Sequence, residues 1–136
     1  MRFLLAIHYD EDGIPSPESP EAEPLWKAYN AFTERAIEAG VFVAAEALGA
    51  SAGASCVSAT EGGPVITDGP FAETKEHLGG FYLLDCADHA EALRWASACP
   101  GASHGSVEVR AVLELGRAAE PDVRLPSSSV TRSRTS

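Results

Sequence analysis

The chain has 136 residues, the length of one domain, and such a domain can bury a hydrophobic core without disulfides or metals. Its 45% hydrophobic and 22% charged residues are typical of globular proteins, and its formal net charge of −10 disfavours direct binding to nucleic-acid phosphates. The sequence contains no apolar stretch approaching the roughly 18 residues of a membrane span, and its apolar N-terminal run is too short for a signal peptide. We therefore expect a cytoplasmic protein with no membrane partner.

The first half of the chain is predicted to form a strand, a loop, a helix and a second strand. Residues 2–8 are apolar on both faces of the predicted strand, so both faces should be covered. The acidic and proline-rich residues 9–21 predict a loop. A helix follows over about 22–39 with Gly40 as its C-terminal stop, and residues 41–48 predict the next strand.

The second half is predicted to contain a β-hairpin, two further strands and one helix. The two hairpin arms, the strand, the helix and the last strand span residues 56–60, 64–68, 80–85, 88–98 and 106–115. Asp88 followed three residues later by Glu91 predicts a capping box at the start of the helix. The last strand alternates apolar and charged residues, which indicates one covered face.

This order, β-α-β, an inserted β-hairpin and a second β-α-β, predicts an α+β, ferredoxin-like fold over residues 1–115. Its antiparallel sheet carries both helices on one face and leaves the other face open. Because strand 2–8 is apolar on that open face, we expect a second copy to cover it, giving a homodimer with an α/β-barrel-like assembly. Residues 116–136 are rich in serine and arginine and predict a disordered tail.

The pattern of cysteines and histidines argues against a metal or disulfide framework. The three cysteines are widely spaced, include no C-x-x-C pair, and are predicted to be small buried hydrophobic residues: Cys56, Cys86 and Cys99. His8 with Asp10 and Asp12 offers one nitrogen and two oxygens, but no two histidines lie three to five residues apart. A solvated strand end is therefore favoured at His8. No phosphate-binding loop or nucleophile elbow is present, so no cofactor is expected.

The segment TDGPFAETKE, residues 67–76, concentrates charged side chains around a Gly-Pro turn. The candidate site residues of this segment, with the histidine that follows it, are Asp68, Phe71, Glu73, Lys75 and His77. Three interpretations stay open: a loop lining a ligand or dimer cavity, a rigid turn and interface with Phe71 anchored in the core, or a catalytic centre. In the catalytic interpretation Asp68, Glu73 or His77 acts as general acid or base if burial shifts its pKa.

The last predicted strand carries charges on the face away from the helices. Arg110 is a candidate for holding a small acid, because its planar guanidinium matches a carboxylate. The favoured alternative is a structural ion pair of Arg110 with Glu108 or Glu76. His89 and His104 are both expected at the surface, since one follows a helix cap and the other lies in a Gly/Ser loop.

The run TDGPFAETKEHLGGFYLLD, residues 67–85, resembles the signature of the DGPF branch of the YCII-related proteins, which are small bacterial α+β proteins. The resemblance covers about residues 1–115 and continues through Trp95 and Pro100 to the segment GSVEVR. It implies a dimeric ferredoxin-like fold. It also implies genes beside those of extracytoplasmic-function sigma factors, so a role as an accessory protein of such a factor is one expectation.

The same resemblance implies a His–Asp active-site pair in YCII-like relatives, but the matching positions here are Tyr29 and Cys99. A hydrolase-like mechanism is therefore not carried over. We expect a small-ligand-binding or regulatory module with an inter-subunit cleft, and the alternative is a low-turnover enzyme that uses the acid/base residues of the 67–76 loop. The expected ligand-binding residues are His8, Asp68, Phe71, Glu73, Lys75 and Arg110.

Overall fold

A computed structural model describes residues 1–71 and 74–115. Its strands are β1 (Arg2–Tyr9), β2 (Phe42–Ala47), β3 (Ser55–Thr60), β4 (Gly63–Asp68), β5 (His77–Asp85) and β6 (Gly105–Ala111). Its α-helices are α1 (Glu23–Glu38), α2 (His89–Ala98) and α3 (Gly101–His104), and short 3₁₀ helices lie at Glu11–Gly13, Pro20–Ala22 and Ser51–Gly53. The predicted α+β class and order of elements are confirmed, with α3 as an addition. Glu73 and the predicted tail lie outside the described residues.

Four of the strands form one antiparallel sheet in the order β2-β5-β1-β6, which is consistent with a ferredoxin-like fold. The hairpin strands β3 and β4 pair with each other in a separate two-stranded sheet, as predicted. β5 begins three residues earlier than the sequence suggested, and this extension pairs His77 with Tyr9 of β1. β6 ends at Ala111 rather than at residue 115, so the last predicted residues of that strand lie outside the sheet.

The hydrophobic core lies between the two longer helices and one face of the sheet. Its most buried large side chains, each less than 2% exposed, are Phe3, Leu5, Phe32, Leu84 and Cys86. Phe32 of α1 packs edge-on against Tyr82 of β5 and Trp95 of α2, with ring centroids 4.9 and 5.7 Å away. Burial of each such side chain contributes about 1.5–3 kcal/mol, so this cluster is what holds both helices on the sheet.

The ends of the two longer helices follow the signals in the sequence. Asp88 Oδ1 accepts a hydrogen bond from the Glu91 backbone N–H at 2.9 Å, which confirms Asp88 as the N-cap. The second bond differs from a capping box, because Glu91 Oε1 accepts from Ala87 N, one residue before the cap, at 2.7 Å. α1 stops where Gly40 adopts φ of 78° and its N–H donates to the Ile37 carbonyl at 3.0 Å. That conformation favours glycine, as expected for a helix stop.

The sheet face away from the helices is apolar at its centre. Leu4 lies opposite Leu83, and Ala6 lies opposite Phe81, in the β1–β5 register. Since Phe3, Leu5 and Ile7 point into the core, alternation directs Leu4 and Ala6 to the other face. Leu4, Phe81 and Leu83 are partly exposed there. A second copy covering this face stays a prediction.

The expectation that Phe71 anchors its loop in the core is wrong, because its side chain is 93% exposed. β4 ends at Asp68, and Gly69 then takes φ of 103°, a conformation that favours glycine. The N–H of Gly69 donates to the Ala54 carbonyl at 2.7 Å, which fastens the turn to the beginning of the hairpin. The turn therefore directs the chain after it, and Phe71 with it, away from the core.

Candidate functional site

A concavity of about 270 Å³ lies between α1, the sheet and α3, and we call it the aromatic pocket. Its defining side chains are Tyr9, Trp26, Tyr29, Thr33, Tyr82 and His104. Trp26, Tyr29 and Thr33 follow one another at spacings of three and four residues, so the helical period places them on the same side of α1. The opposite wall is formed by small residues of β2 and β5, including Ala45, which leave room between helix and sheet.

Two consecutive glycines in β5 shape the floor of the aromatic pocket. A Cβ atom on Gly79 would overlap the ring of Tyr9, so the missing side chain lets that ring lie against β5. A Cβ atom on Gly80 would lie 2.8 Å from the backbone oxygen of Glu46, so the missing side chain lets β2 come close. Both glycines are therefore required by close approach rather than by backbone conformation.

The inner end of the aromatic pocket holds a tyrosine–histidine pair. The Tyr29 hydroxyl lies 3.1 Å from Nε2 of His104, and the ring of Tyr9 lies 5.4 Å from the His104 ring. Nδ1 of His104 is buried and has no hydrogen-bond partner among the described residues. Gly101 makes the approach possible, because a Cβ atom there would lie 3.1 Å from the Tyr29 oxygen. α3 thus carries His104 to α1 across the end of β1.

The hydroxyl groups of Thr33 and Tyr82, which also line the pocket, are hydrogen-bonded to each other. Thr33 Oγ1 donates to the backbone oxygen of Tyr29 at 2.9 Å and lies 2.7 Å from the Tyr82 hydroxyl. The Tyr82 hydroxyl also lies 3.4 Å from the Tyr29 backbone oxygen, so either hydroxyl can donate the bond that joins them, and both protons are used within this group. The Tyr29 hydroxyl lies outside this hydrogen-bond network, and its contact is with Nε2 of His104.

The aromatic pocket is electrically neutral at its inner end. Burial raises the pKa of Tyr9, of Tyr29 and of Tyr82, so these phenols keep their protons at neutral pH. Burial lowers the pKa of His104, which favours the uncharged imidazole. The described lining residues include no lysine or arginine, and Glu46, their one acidic residue, pairs with Phe81, so its carboxylate points to the open face of the sheet.

A wider concavity of about 1030 Å³, which we call the open cleft, lies between the loop after β2 and residues 70–71 and 74–78. Its lining includes His8, Ser51, Phe71, Glu76 and His77. The wall that carries Ser51 is fastened by Glu11, whose two carboxylate oxygens accept from Ser51 N at 2.8 Å and Ser51 Oγ at 2.7 Å. These hydrogen bonds lower the pKa of Glu11.

The structure brings together some of the residues selected from the sequence and separates the others. His8, Phe71 and His77 all line the open cleft. Asp68 and Lys75 line neither concavity, although they belong to the same charged segment. The reason is geometric: Asp68 is the last residue of β4, and the chain reverses direction at Gly69 before it reaches the cleft.

Arg110 is exposed on β6 and lines neither concavity. The expected ion pair of Arg110 with Glu108 or Glu76 is not among the ion pairs of the described residues, and Glu108 Oε1 lies 3.6 Å from His8 Nε2. Arg110 pairs in register with Leu4, and Glu108 pairs with Ala6, so both charges border the apolar centre of the open face. This position suits an interface better than a ligand pocket.

His104 and Tyr29 are site residues that reasoning from the sequence missed. His104 was expected at the surface, but α3 folds its ring against Tyr9 and Tyr29. The available signal was the segment PGASHG between α2 and β6, where small residues on both sides of a histidine permit close packing. The sequence alone does not show what the histidine meets, because its partners lie on β1 and α1.

Residues 1–71 and 74–115 contain no group of three or more histidine, cysteine, aspartate and glutamate side chains arranged to hold a metal ion. Within the same residues, none of the helices has both the length and the apolar character needed to cross a membrane.

Comparison with known proteins identifies the class of protein that carries these two concavities. The YCII-related domain family matches residues 1–116. An uncharacterised protein of Rhizobium meliloti (strain 1021) is 38% identical over 112 residues, which make up 81% of this chain and 90% of that relative. The chain therefore belongs to the YCII-related domain family.

The two positions that the resemblance assigns to a His–Asp pair lie near each other but do not form one. Tyr29 lines the aromatic pocket, whereas Cys99 is 2% exposed and does not line it. Cys99 and Cys86 are buried, as predicted for small hydrophobic residues, and burial raises the pKa of both thiols. The same prediction is wrong for Cys56, which is half-buried and lines the open cleft. The polar partner of Tyr29 is His104, which comes from a different place in the chain.

Proposed function

We propose that this YCII-family protein belongs to the DGPF branch and acts as a homodimeric module that binds a small molecule in the aromatic pocket. The supporting observation is the combination of a preformed concavity of about 270 Å³ with a neutral hydrogen-bonding pair, Tyr29 and His104, at its inner end. Mostly apolar pockets with a few convergent polar groups are the usual form of small-molecule sites. The proposal places the ligand inside one protomer rather than in a cleft between subunits.

A thermal-shift screen tests the ligand-binding function. We expect at least one compound of a chemically mixed library to raise the melting temperature. Asn30→Trp places a large side chain at the exposed mouth of the pocket and should abolish that shift. Glu34→Trp, on the same helix but outside the lining, is the matched control and should keep it. A library without hits, or equal shifts in both variants, contradicts the proposal.

The homodimer is proposed from the apolar centre of the open face, where Leu4, Phe81 and Leu83 are partly exposed. Light scattering at micromolar concentration should give twice the mass of the chain. Leu83→Glu should reduce that mass to one chain, because it buries a charge in the proposed interface. Leu93→Glu, at a position that is 45% exposed on α2, should leave the dimer intact. A monomeric wild-type chain contradicts this part of the proposal.

A low-turnover enzyme is the alternative function, and the observation in its favour is that His8 and His77 line the same open cleft. If His77 is a general acid or base, His77→Gln should reduce a measured turnover by about 100-fold with an unchanged melting temperature. His89→Gln, at an exposed position on α2, is the control. Turnover unaffected by His77→Gln removes that residue from the mechanism.

A further inference from the structure

We infer that the aromatic pocket selects an uncharged aromatic molecule carrying a hydroxyl group, and that the Tyr29–His104 pair recognises this hydroxyl. This inference rests on the proposed function, since it names the class of ligand for the same pocket. It departs from the expectation of a small acid held by Arg110, because Arg110 lies on β6 outside the pocket.

The aromatic part of the ligand is inferred from the walls. The rings of Tyr9, Trp26, Tyr29 and Tyr82 line a space whose opposite side is Ala45 and the two glycines of β5. Aromatic rings bury large apolar areas and gain further energy from stacked or edge-to-face contacts. A volume of about 270 Å³ is small for a ligand site, so the occupant is a compact ring compound rather than an extended chain.

The lack of charge on the ligand is inferred from the electrostatics. An anion would be desolvated beside neutral phenols and a neutral imidazole, with no lysine or arginine among the described lining residues to pair with it. A cation would also lack a partner, because Glu46 pairs in register with Phe81 and alternation directs its carboxylate to the open face of the sheet. A neutral molecule avoids both costs.

The hydroxyl group is inferred from the donor and acceptor balance. One of the Thr33 and Tyr82 hydroxyls donates to the Tyr29 carbonyl and the other donates to its neighbour, so both protons are already used. If the His104 Nε2 accepts from Tyr29, the Tyr29 oxygen still offers lone pairs; if Nε2 carries the proton, the Tyr29 hydroxyl is free to donate. A ligand hydroxyl both donates and accepts, so it fits either tautomer.

The experiment compares three probes of similar shape: p-cresol, toluene and 4-methylbenzoate. Trp26 and Trp95 are the two tryptophans of the chain, and Trp95→Phe leaves Trp26, which is 37% exposed at the pocket, as the fluorescent reporter. We expect p-cresol to bind most tightly, toluene more weakly, and 4-methylbenzoate not to bind. Calorimetry on the wild-type chain repeats the series, so the result does not depend on the Trp95→Phe background.

Two hydroxyl deletions locate the recognition. Tyr29→Phe should weaken p-cresol binding about tenfold, the value of one hydrogen bond, and leave toluene binding unchanged. Tyr82→Phe removes a hydroxyl that is already bonded to Thr33, and it should leave the ratio of p-cresol to toluene affinity as in the wild type.

Three results overturn the inference: no binding of p-cresol, binding of toluene or 4-methylbenzoate as tight as that of p-cresol, or equal losses in the two tyrosine variants. If the thermal-shift screen still finds a ligand whose effect Asn30→Trp abolishes, the pocket binds another class of molecule and the proposed function stands. If that screen finds no ligand, the inference and the proposed function are both contradicted.

Discussion

The hydroxyl of Tyr29 and Nε2 of His104 lie 3.1 Å apart, although 75 positions separate the two residues in the chain. The contact joins α1 to the short helix α3, and it lies at the inner end of the aromatic pocket. Its hydrogen bond, its protonation state and the glycines around it each lead to a measurable consequence.

The energetic coupling of the pair is the first consequence. Tyr29→Phe, His104→Phe and the double variant each remove the hydrogen bond between the two residues. Together with the wild type they form a double-mutant cycle. We expect each single change to lower the free energy of unfolding and the coupling energy to be about 1 kcal/mol, the value of a partly buried neutral hydrogen bond. Urea denaturation measures all four proteins. Additive losses would show that the pair does not act as a unit.

The second consequence is a dependence of stability on pH set by His104. Burial lowers its folded pKa below the ordinary value of 6.5, and the facing side chains Tyr9 and Tyr29 are neutral phenols that do not oppose this shift. Above pH 6.5 the residue is neutral in both states and its contribution is complete. As the pH falls from 6.5 towards the folded pKa, the unfolded chain binds a proton first, so the free energy of unfolding decreases.

Urea denaturation between pH 7.5 and about pH 5 checks this effect. His104→Gln should flatten the decrease, while His89→Gln, which changes an exposed histidine, should retain it. A slope that is the same in wild type and His104→Gln would assign the pH dependence to other groups.

The third consequence concerns the close approach of β2 and β5. Gly80→Ala should lower the free energy of unfolding by about 1–3 kcal/mol, because its Cβ would meet backbone rather than a flexible side chain. Gly53→Ala is the matched control, since nothing lies within 4 Å of a Cβ atom there and its backbone is helical. Thermal unfolding of both variants gives the comparison. Equal stabilities would mean that the β2 edge shifts without cost.

The fourth prediction concerns Glu11 and Ser51 at the open cleft. Hydrogen bonds from Ser51 lower the pKa of Glu11 from 4.5, so its contribution is present above pH 4.5 and is lost as the pH falls through the lower folded pKa. Because the carboxylate is largely solvated, we expect Glu11→Gln to cost only about 0.5–1 kcal/mol at pH 7. Glu21→Gln, at an exposed position, should cost less. Chemical denaturation at pH 7 and at about pH 3.5 measures the size of the Glu11 contribution to the free energy of unfolding and checks that it decreases as the pH falls.

Local patterns in the sequence predicted the elements of this fold well. The capping residues Asp88 and Glu91 and the stop at Gly40 act within a few positions of themselves, so their geometry follows from chain-local hydrogen bonds. The extension of β5 back to His77 was missed, because its residues pair with β1 and not with their sequence neighbours.

The candidate site was less predictable than the fold. The charged segment 67–76 indicated one site, but the turn at Gly69 sends Asp68 and Phe71 to different surroundings and leaves Phe71 exposed. Arg110 lies next to an apolar strand centre, and Glu108 Oε1 lies 3.6 Å from His8 Nε2. Charges near each other in sequence do not share a site unless the backbone returns them to one surface.

Composition, periodicity and turn residues by themselves determined the α+β class and the order of strands and helices, because these depend on local preferences and on which faces are apolar. The tertiary structure decided which polar groups meet. His104 joins Tyr29 only because β1, α1 and α3 converge, and burial at that convergence keeps both groups neutral. Contact and desolvation are properties of the packed chain, and these two properties define the pocket.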